Sequence, residues 1–202
     1  MQQISFDFLG QHRHGQAFHD YLRLRKTFFV DSLGWEIPHN EDVEMDQYDN
    51  PCAHYSLVLL HGKVVGGARI MATTATWGQH TYMLRDALRG SLKNIPPSVM
   101  ETDIATDQVW ECTRLVVSDE LRCQKDRANC LGLVVEGLAE IANRHGGVEM
   151  LALTRPSLVR TLRALGFAAN RSSEPYRNDN DGHQYAVLNM PTVRPAQLYA
   201  AE

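Results

Sequence analysis

The segment from Val109 to Val117, Val-Trp-Glu-Cys-Thr-Arg-Leu-Val-Val, decides the fold of this chain. β-Branched and aromatic residues dominate it, and this composition is typical of a buried strand. It nevertheless carries two opposite charges, Glu111 and Arg114, three positions apart. A lone charge is costly to bury, so these two must be matched with partners or bind something. A structural ion pair and a functional site are both compatible with this pattern.

Helices and strands alternate on the C-terminal side of this segment. The apolar spacing predicts two helices and two strands there: a helix over 126–144, a strand over 148–153, a helix over 156–165 and a strand over 184–190. On the N-terminal side we predict a helix over 15–30, a hairpin of strands 54–60 and 63–71 around His61-Gly62, and a short helix over 83–88. This order favours an α/β sandwich with a mixed sheet over an all-α or all-β fold.

Length and composition indicate one soluble globular domain. The chain has 202 residues, of which 44% are hydrophobic and 22% charged, with a net charge of −4. No overall basicity suggests nucleic acid, and no apolar run approaches the roughly 18 residues that span a bilayer. The N-terminus lacks the features of a signal peptide, so we expect a cytoplasmic protein without membrane insertion. We expect a single domain over 1–202, with flexible ends at 1–14 and 192–202.

Cysteine and histidine give no indication of a metal site. None of the four cysteines forms a Cys-x-x-Cys pair, and the nine histidines are scattered. Cys112 alternates with Glu111 in the strand, so we expect it to face the opposite side. A catalytic thiol is disfavoured, because no histidine is placed in the sequence to activate it.

Charged and aromatic residues upstream accompany the strand pair in a fixed order. The pattern is Arg25-x3-Phe29-x5-Trp35, Glu44-x-Asp46-x-Tyr48-Asp49, Gly66-Gly-Ala-Arg69 and Glu111-x-x-Arg114. This ordered set resembles the acyl-homoserine lactone synthases of bacterial quorum sensing, over about residues 20 to 190. The resemblance implies a fold similar to that of the Gcn5-type N-acetyltransferases. It also implies acyl transfer from acyl carrier protein, or from acyl-CoA, to the amine of S-adenosylmethionine, followed by lactonisation that releases methylthioadenosine.

The resemblance assigns roles to the matching positions. Glu111 becomes the candidate base, acting directly or through a water, with Arg114 and Asp46 as the other catalytic candidates. The remaining candidates for the substrate pocket are Arg25, Phe29, Trp35, Asp49, Arg69 and Thr113. S-Adenosylmethionine is then a substrate, and no cofactor is expected. Each residue also has a structural interpretation: Phe29 as helix core, Trp35 as a loop anchor, and the acidic run as solvated surface.

An apolar tunnel for the acyl chain is placed by the resemblance beside the strand at 148–153 and the helix after it. The candidates are Met150, Leu151, Leu153 and Leu158, all of which are also ordinary core residues by pattern. Leu151 and Ala152 lack a hydroxyl group, which favours an unsubstituted chain, although Thr154 leaves an oxidised chain open. Basic residues between 122 and 171 either dock an acidic carrier protein or form a solvated surface: Arg122, Lys125, Arg127, Arg155, Arg160, Arg163 and Arg171.

Two other functions compete with this interpretation. An ordinary N-acetyltransferase that uses acetyl-CoA needs a glycine-rich turn at the start of its pyrophosphate-binding helix. The corresponding stretch, 127–132, contains a single glycine. A non-catalytic sensing domain of the same fold would bind S-adenosylmethionine or an acyl carrier without turnover, but the intact Glu111 and Arg114 argue against it. The sequence leaves the chain length, the donor and the oligomeric state open.

Overall fold

The computed structural model describes residues 1–194, which form two compact units. The first comprises Met1–Ile70 and Thr113–Leu138, and the second comprises Met71–Cys112 and the chain from Ala139 onward. The single-domain organisation predicted for residues 1–202 stays a prediction. Most of the tail predicted to be flexible, from residue 195 on, lies outside the described residues. Thr192 at its start is buried and hydrogen-bonded to Asn143.

Four neighbouring strands form the framework of the first unit. In spatial order they are β1 (Gln2–Asp7), β2 (His54–Leu60), β3 (Lys63–Ala72) and β4 (Val109–Val117). β1 and β3 both pair with β2 in antiparallel register. His61 and Gly62 have positive φ, as a two-residue hairpin turn requires, so the predicted hairpin is confirmed.

Within the first 14 residues, which the sequence predicts to be flexible, Gln2–His14 form regular secondary structure. Gln2–Asp7 form an edge strand whose backbone hydrogen bonds to β2 fix it in place, and Phe8–His14 continue as a 3₁₀-helix. Phe6 is buried and stacks on Tyr55. The polar composition of the segment concealed this strand, because an edge strand needs little apolar surface of its own.

Helices cover both faces of the sheet in the first unit. These are α1 (Ala17–Arg25) and the part of α3 (Gln124–Arg144) that belongs to this unit. A side chain at Gly66 would meet Cys130 and Val134 of α3, whereas one at Gly67 would meet Tyr21 of α1. Neighbouring strand residues face opposite sides, so the two glycines let one helix approach each face. They therefore serve helix packing.

The predicted helix over 15–30 divides into two kinds of helix. After α1 the chain continues from Lys26 to Ser32 as a π-helix, in which hydrogen bonds span five residues. Lys26 forms an ion pair with Asp31, five positions on, at 2.9 Å. Phe29 lies within this π-helix, and Trp35 follows shortly after its end.

The second unit combines parallel and antiparallel pairing. Its part of β4 pairs in parallel with β5 (Glu149–Thr154), over residues 109–111 and 149–151. On its other side β5 pairs antiparallel with β8 (Gln184–Pro191). Two short strands also pair with β8: β6 (Asn170–Arg171) and β7 (Tyr176–Arg177). They went unpredicted because two residues are too short to show a pattern.

The helices of the second unit are short. They are α2 (Met83–Leu88), a 3₁₀ turn at Pro97–Val99 and α4 (Leu158–Ala164), together with the end of α3. α2 and β8 lie where the sequence predicts them, and the predicted ends of α3, β5 and α4 differ from the observed ones by at most two residues. The mixed sheet confirms the predicted α/β fold class.

Candidate active site

Three arginines and three carboxylates form a buried ionic network in the first unit. The arginines come from α1, β3 and β4, and the carboxylates come from the loop after the π-helix. The members are Arg25, Arg69, Arg114, Glu44, Asp46 and Asp49. Three positive and three negative charges balance, which is the condition under which charges tolerate burial.

The acidic loop folds on itself to present its carboxylates inward. The backbone N–H of Asp49 donates to the carbonyl of Asp46 at 3.0 Å, and that of Asp46 donates to Oδ2 of Asp49 at 3.0 Å. Oδ1 of Asp46 accepts a hydrogen bond from the N–H of Tyr48 at 2.9 Å. Short polar side chains favour such local turns. The alternative interpretation of this run as solvated surface is therefore wrong for Glu44, Asp46 and Asp49, whose side chains are at most 3% exposed.

Asp49 is the most heavily bonded carboxylate of the network. Arg25 donates to both of its oxygens, at 2.8 and 2.9 Å, and Arg69 lies 2.9 Å away. The hydroxyl of Tyr55 adds a further hydrogen bond at 2.9 Å. Burial alone would raise the pKa of Asp49, but the guanidiniums of Arg69 and Arg25 outweigh it and hold that pKa well below its ordinary value.

Arg69 joins the acidic loop to β4. Its guanidinium bonds both oxygens of Asp46, its Nε donates to the hydroxyl of Thr113 at 3.0 Å, and it lies over the ring of Tyr48. Burial alone would lower the pKa of Arg69. The carboxylates of Asp46 and Asp49 outweigh this effect and raise that pKa above its ordinary value. Arg69 and Arg25 are completely buried and therefore form the floor of the network.

Arg114 forms the outer edge of the network. Its guanidinium lies 3.2 Å from Glu44 and 2.8 Å from Asp46, and its side chain is 9% exposed. The same guanidinium lies over the ring of Phe29, 5.5 Å from its centre. Asp46 lies between Arg114 and Arg69. Although burial alone would raise the pKa of Asp46, these two arginines lower it.

An aromatic pair borders this edge. Phe29 and Trp35 stack with ring centres 5.0 Å apart and an angle of 30° between their planes. Phe29 is buried, whereas Trp35 is half-buried. Phe29 therefore contacts Arg114 as well as Trp35, and the place of both aromatic residues in a substrate pocket stays a prediction. A cation and an aromatic wall side by side suit a ligand that carries both charge and a flat ring.

Glu111 lies in the second unit and anchors a helix there. Its Oε2 accepts a hydrogen bond from the N–H of Met83 and its Oε1 one from the N–H of Leu84, both at 2.8 Å. These are the first two residues of α2, whose N-terminal N–H groups need acceptors. The sequence offered no signal for this helix-capping role, because capping residues are normally sought next to the helix.

The acyl-chain candidates differ in exposure. In β5, Met150 and Leu151 are buried, whereas Leu153 is half-buried. Leu158, at the start of α4, is also half-buried. The parallel register with β4 ends at Leu151, and the residues of β5 beyond it pair with β8. The half-buried members are therefore the ones with apolar surface to offer a ligand.

Sequence reasoning missed several residues around the network. Glu44 belongs to the quoted pattern but was not chosen, and the structure shows it bridging Arg25 and Arg114. Its spacing from Asp46 was the available signal. Tyr21 and Tyr55 were missed because buried tyrosines cannot be distinguished from core by sequence pattern.

Thiol, metal and membrane chemistry receive no support from the described residues. Burial raises the pKa of the Cys112 thiol well above its ordinary value, with Glu111 adding to the shift, so this thiol stays protonated. Among residues 1–194, no group of three or more histidine, cysteine or acidic side chains has an arrangement that could hold a metal ion. No helix in the same residues combines the length and apolarity needed to cross a bilayer.

Comparison with solved structures defines the class of fold. The CoA-dependent acyl-homoserine lactone synthase BjaI, solved with S-adenosylmethionine and isopentyl-CoA, matches with a TM-score of 0.74 at 20% identity, over 97% of this chain and 85% of BjaI. Escherichia coli ElaA, which is similar to the Gcn5-type acetyltransferases, matches with a TM-score of 0.59 at 14% identity, over 94% and 99% of the two chains. At these identities both matches show the fold alone, and they confirm the predicted Gcn5-type fold.

Sequence comparison gives the family. Residues 10–197 match the family described as Autoinducer synthase. An acyl-homoserine-lactone synthase of Ralstonia solanacearum is 28% identical over 188 residues, which cover 85% of this chain and 86% of the relative. The chain therefore belongs to the autoinducer synthase family. This membership confirms the predicted enzyme class, an acyltransferase of the acyl-homoserine-lactone synthase type.

Proposed function

We propose that this protein synthesises an acyl-homoserine lactone for quorum sensing from S-adenosylmethionine and an acyl thioester. The amine of S-adenosylmethionine attacks the thioester carbonyl, a C–N bond forms, and the thiol leaves with the proton that the amine loses. The carboxylate oxygen then attacks the carbon attached to the sulfonium. The C–S bond breaks, its electron pair stays on sulfur, and neutral methylthioadenosine is released with the lactone.

One observation carries this proposal: the outer edge of a neutral, buried network combines Arg114 with the stacked rings of Phe29 and Trp35. S-Adenosylmethionine presents a carboxylate, two cationic groups and a flat adenine. In the proposal Arg114 binds the carboxylate, Asp46 faces the cationic groups and the aromatic pair forms the wall. Arg25, Asp49, Arg69 and Thr113 then act by holding these groups in place, since they lie at the floor of the network.

Glu111 is the proposed base for the amine. The adjacent sulfonium lowers the pKa of an α-amino group that ordinarily titrates near 7.7–8.0, so a modest base suffices. Two hydrogen bonds from α2 hold the Glu111 carboxylate. Proton transfer proceeds directly or through a water in this proposal. The helix cap fixes the orientation of the carboxylate in either case.

The acyl chain is proposed to lie against the apolar residues of β5 and α4. Leu153 and Leu158 are half-buried and offer contact surface, with Met150 and Leu151 behind them. No hydroxyl is present at Leu151 or Ala152, which favours a chain unsubstituted at the third carbon. Thr154 is the one hydroxyl-bearing residue at the end of this strand.

Acyl carrier protein is the proposed donor, with acyl-CoA as the alternative thioester. Three members of the basic set have local partners: Arg127 contacts Asp119, Arg163 contacts Asn170, and Arg171 contacts Glu174. Three exposed members have side chains that form no ion pair or hydrogen bond among the described residues: Arg122, Lys125 and Arg160. These three are the better candidates for steering an acidic partner. All four cysteines are free, as expected in the cytoplasm, which is the compartment we propose.

Mass spectrometry of products tests the function. The purified protein is incubated with S-adenosylmethionine and a panel of acyl carrier proteins and acyl-CoAs of different chain length. We expect methylthioadenosine and one predominant lactone in equal amounts. Acylated S-adenosylmethionine without methylthioadenosine would instead mean an acyltransferase that does not close a lactone.

A binding measurement separates failure of chemistry from failure of recognition. Calorimetric titration with S-adenosylmethionine alone requires no acyl donor. Binding without product from any donor would contradict the synthase and support a sensing domain. Acetylation of an unrelated amine by acetyl-CoA, with no S-adenosylmethionine binding, would support an ordinary N-acetyltransferase.

A further inference from the structure

Arg114 has a backbone conformation that strands seldom contain. Its φ is +56°, in the left-handed region, although it lies inside β4. This conformation costs a residue other than glycine roughly 1–2 kcal/mol, so surrounding contacts must hold it. The distortion falls at the residue whose guanidinium forms the outer edge of the ionic network.

Tyr21 supplies such a contact. Its hydroxyl donates a hydrogen bond to the backbone carbonyl of Arg114 at 2.8 Å, from α1. Tyr21 is completely buried, and burial raises the pKa of its hydroxyl well above the ordinary value, so the group stays protonated and remains a donor. Because a backbone carbonyl is a strong acceptor, this bond restrains the peptide group that follows Arg114.

The surroundings of Tyr21 hold its ring in one position. The ring lies against β3 where Gly67 has no side chain, and a β-carbon there would come within 2.9 Å of it. The ring of Tyr55 contacts it edge-on, and the guanidinium of Arg25 lies 5.3 Å from its centre. With its ring confined on these sides, the tyrosine can direct its hydroxyl at one acceptor.

We infer that Tyr21 is a positioning residue for the reaction: through its hydroxyl it holds the left-handed backbone of Arg114, and thereby directs the guanidinium toward the carboxylate of S-adenosylmethionine. The inference rests on the proposed function, in which Arg114 binds that carboxylate. Neither the sequence motif nor the family match assigns a role to this position. By this inference Tyr21, although completely buried, determines the affinity for the substrate without facing it.

Tyr21→Phe tests the inference because it removes the hydroxyl and keeps the ring. We expect the KM for S-adenosylmethionine and its calorimetric Kd to rise about five- to tenfold, the range expected for a lost buried hydrogen bond. We expect kcat at saturation to change less than twofold, since the reacting groups remain. A purely structural role would lower the Tm and leave both KM and Kd unchanged, which would overturn the inference.

Tyr82→Phe is the matched control. Tyr82 is also completely buried, and its hydroxyl donates to the carbonyl of Ile104 at 2.7 Å, in the second unit. We expect this control to lower the Tm by a similar amount and to leave the Kd for S-adenosylmethionine within twofold. An equal rise in Kd for both variants would overturn the inference, because it would reflect general loosening.

The wild-type protein distinguishes this inference from the proposed function. If the wild type neither binds S-adenosylmethionine nor forms lactone, the proposed function fails and the inference fails with it. If the wild type binds and turns over normally while Tyr21→Phe keeps the same Kd, the inference alone fails. Circular dichroism of each variant confirms that the comparison is made between folded proteins.

Discussion

Two regions of this protein bury carboxylates by different physical means. In the first unit, Glu44, Asp46 and Asp49 are neutralised by three guanidiniums. In the second unit, Glu111 is held by backbone N–H groups at the start of α2. The ionic network couples every member to the others, whereas the helix cap couples one carboxylate to one short helix. Substitutions should therefore affect the whole fold in the first region and a local segment in the second.

Arg69→Met gives the largest expected effect and tests the ionic network. It leaves Asp46 and Asp49 buried without one of their cations, and such a loss costs about 3–5 kcal/mol of the free energy of unfolding. Urea denaturation followed by circular dichroism measures it. Lys63→Met is the control, because it breaks the exposed pair with Glu120 and should cost about 1 kcal/mol or less. Equal losses would mean that the network is not coupled.

Glu111→Gln tests the helix cap and the proposed base together. Glutamine can accept only one of the two N–H bonds, so we expect a loss of about 1–3 kcal/mol in the free energy of unfolding. Removal of the base should also lower kcat about 10²- to 10⁴-fold. The measurements are urea denaturation, the calorimetric Kd for S-adenosylmethionine and initial rates of methylthioadenosine release.

The combination of outcomes assigns the role of Glu111. A folded variant that binds S-adenosylmethionine but turns over slowly supports the base. Unchanged kcat would leave the helix cap as the sole role. Glu140→Gln, an exposed site on α3, is the control for the same chemical change and should alter neither measurement.

Acid titration tests the network without a substitution. The folded-state pKa of Asp46 and of Asp49 lies below the value in the unfolded chain, so the unfolded state binds more protons as pH falls. The stability they contribute is present above the unfolded value near pH 3.9 and is lost below it, by up to about 1.4 kcal/mol per pH unit for each carboxylate. The urea midpoint measured between pH 7 and pH 3 should fall steeply only at the acid end. A flat profile would contradict the depressed pKa values.

Arg160→Glu has the smallest expected effect and concerns the donor. Reversing one exposed charge on α4 should lower kcat/KM with acyl carrier protein several-fold and make its salt dependence shallower, without changing kcat/KM with acyl-CoA. Arg13→Glu, outside the basic set, makes the same charge change and should have no effect on either donor. If both variants act alike, net charge rather than docking at α4 determines the rate.

The sequence was sufficient for the ordered motif but not for how its residues meet. Helix and strand periodicity predicted α2, α3, β5 and β8 because each follows an apolar pattern. The resemblance to the acyl-homoserine lactone synthases assigned Arg25, Asp46 and Asp49 to one site, whereas their mutual pairing depends on how the acidic loop folds back. Glu111 as a helix cap, Arg114 with positive φ and Tyr21 as its partner are contacts between distant segments, which no local pattern encodes.

In the π-helix from Lys26 to Ser32, the number of residues in the segment matters as well as their identity. The winding places residues five apart above one another, as the Lys26–Asp31 ion pair shows, whereas an α-helix would turn them about 140° apart. Deleting one residue here would allow the segment to continue as an ordinary helix and would change the approach of Trp35 to Phe29. An alignment that scores only residue identities would rate such a shortened relative as intact. Under the proposed function, an insertion or deletion in this segment should therefore disturb the aromatic wall in the same way as a substitution of Phe29 or Trp35.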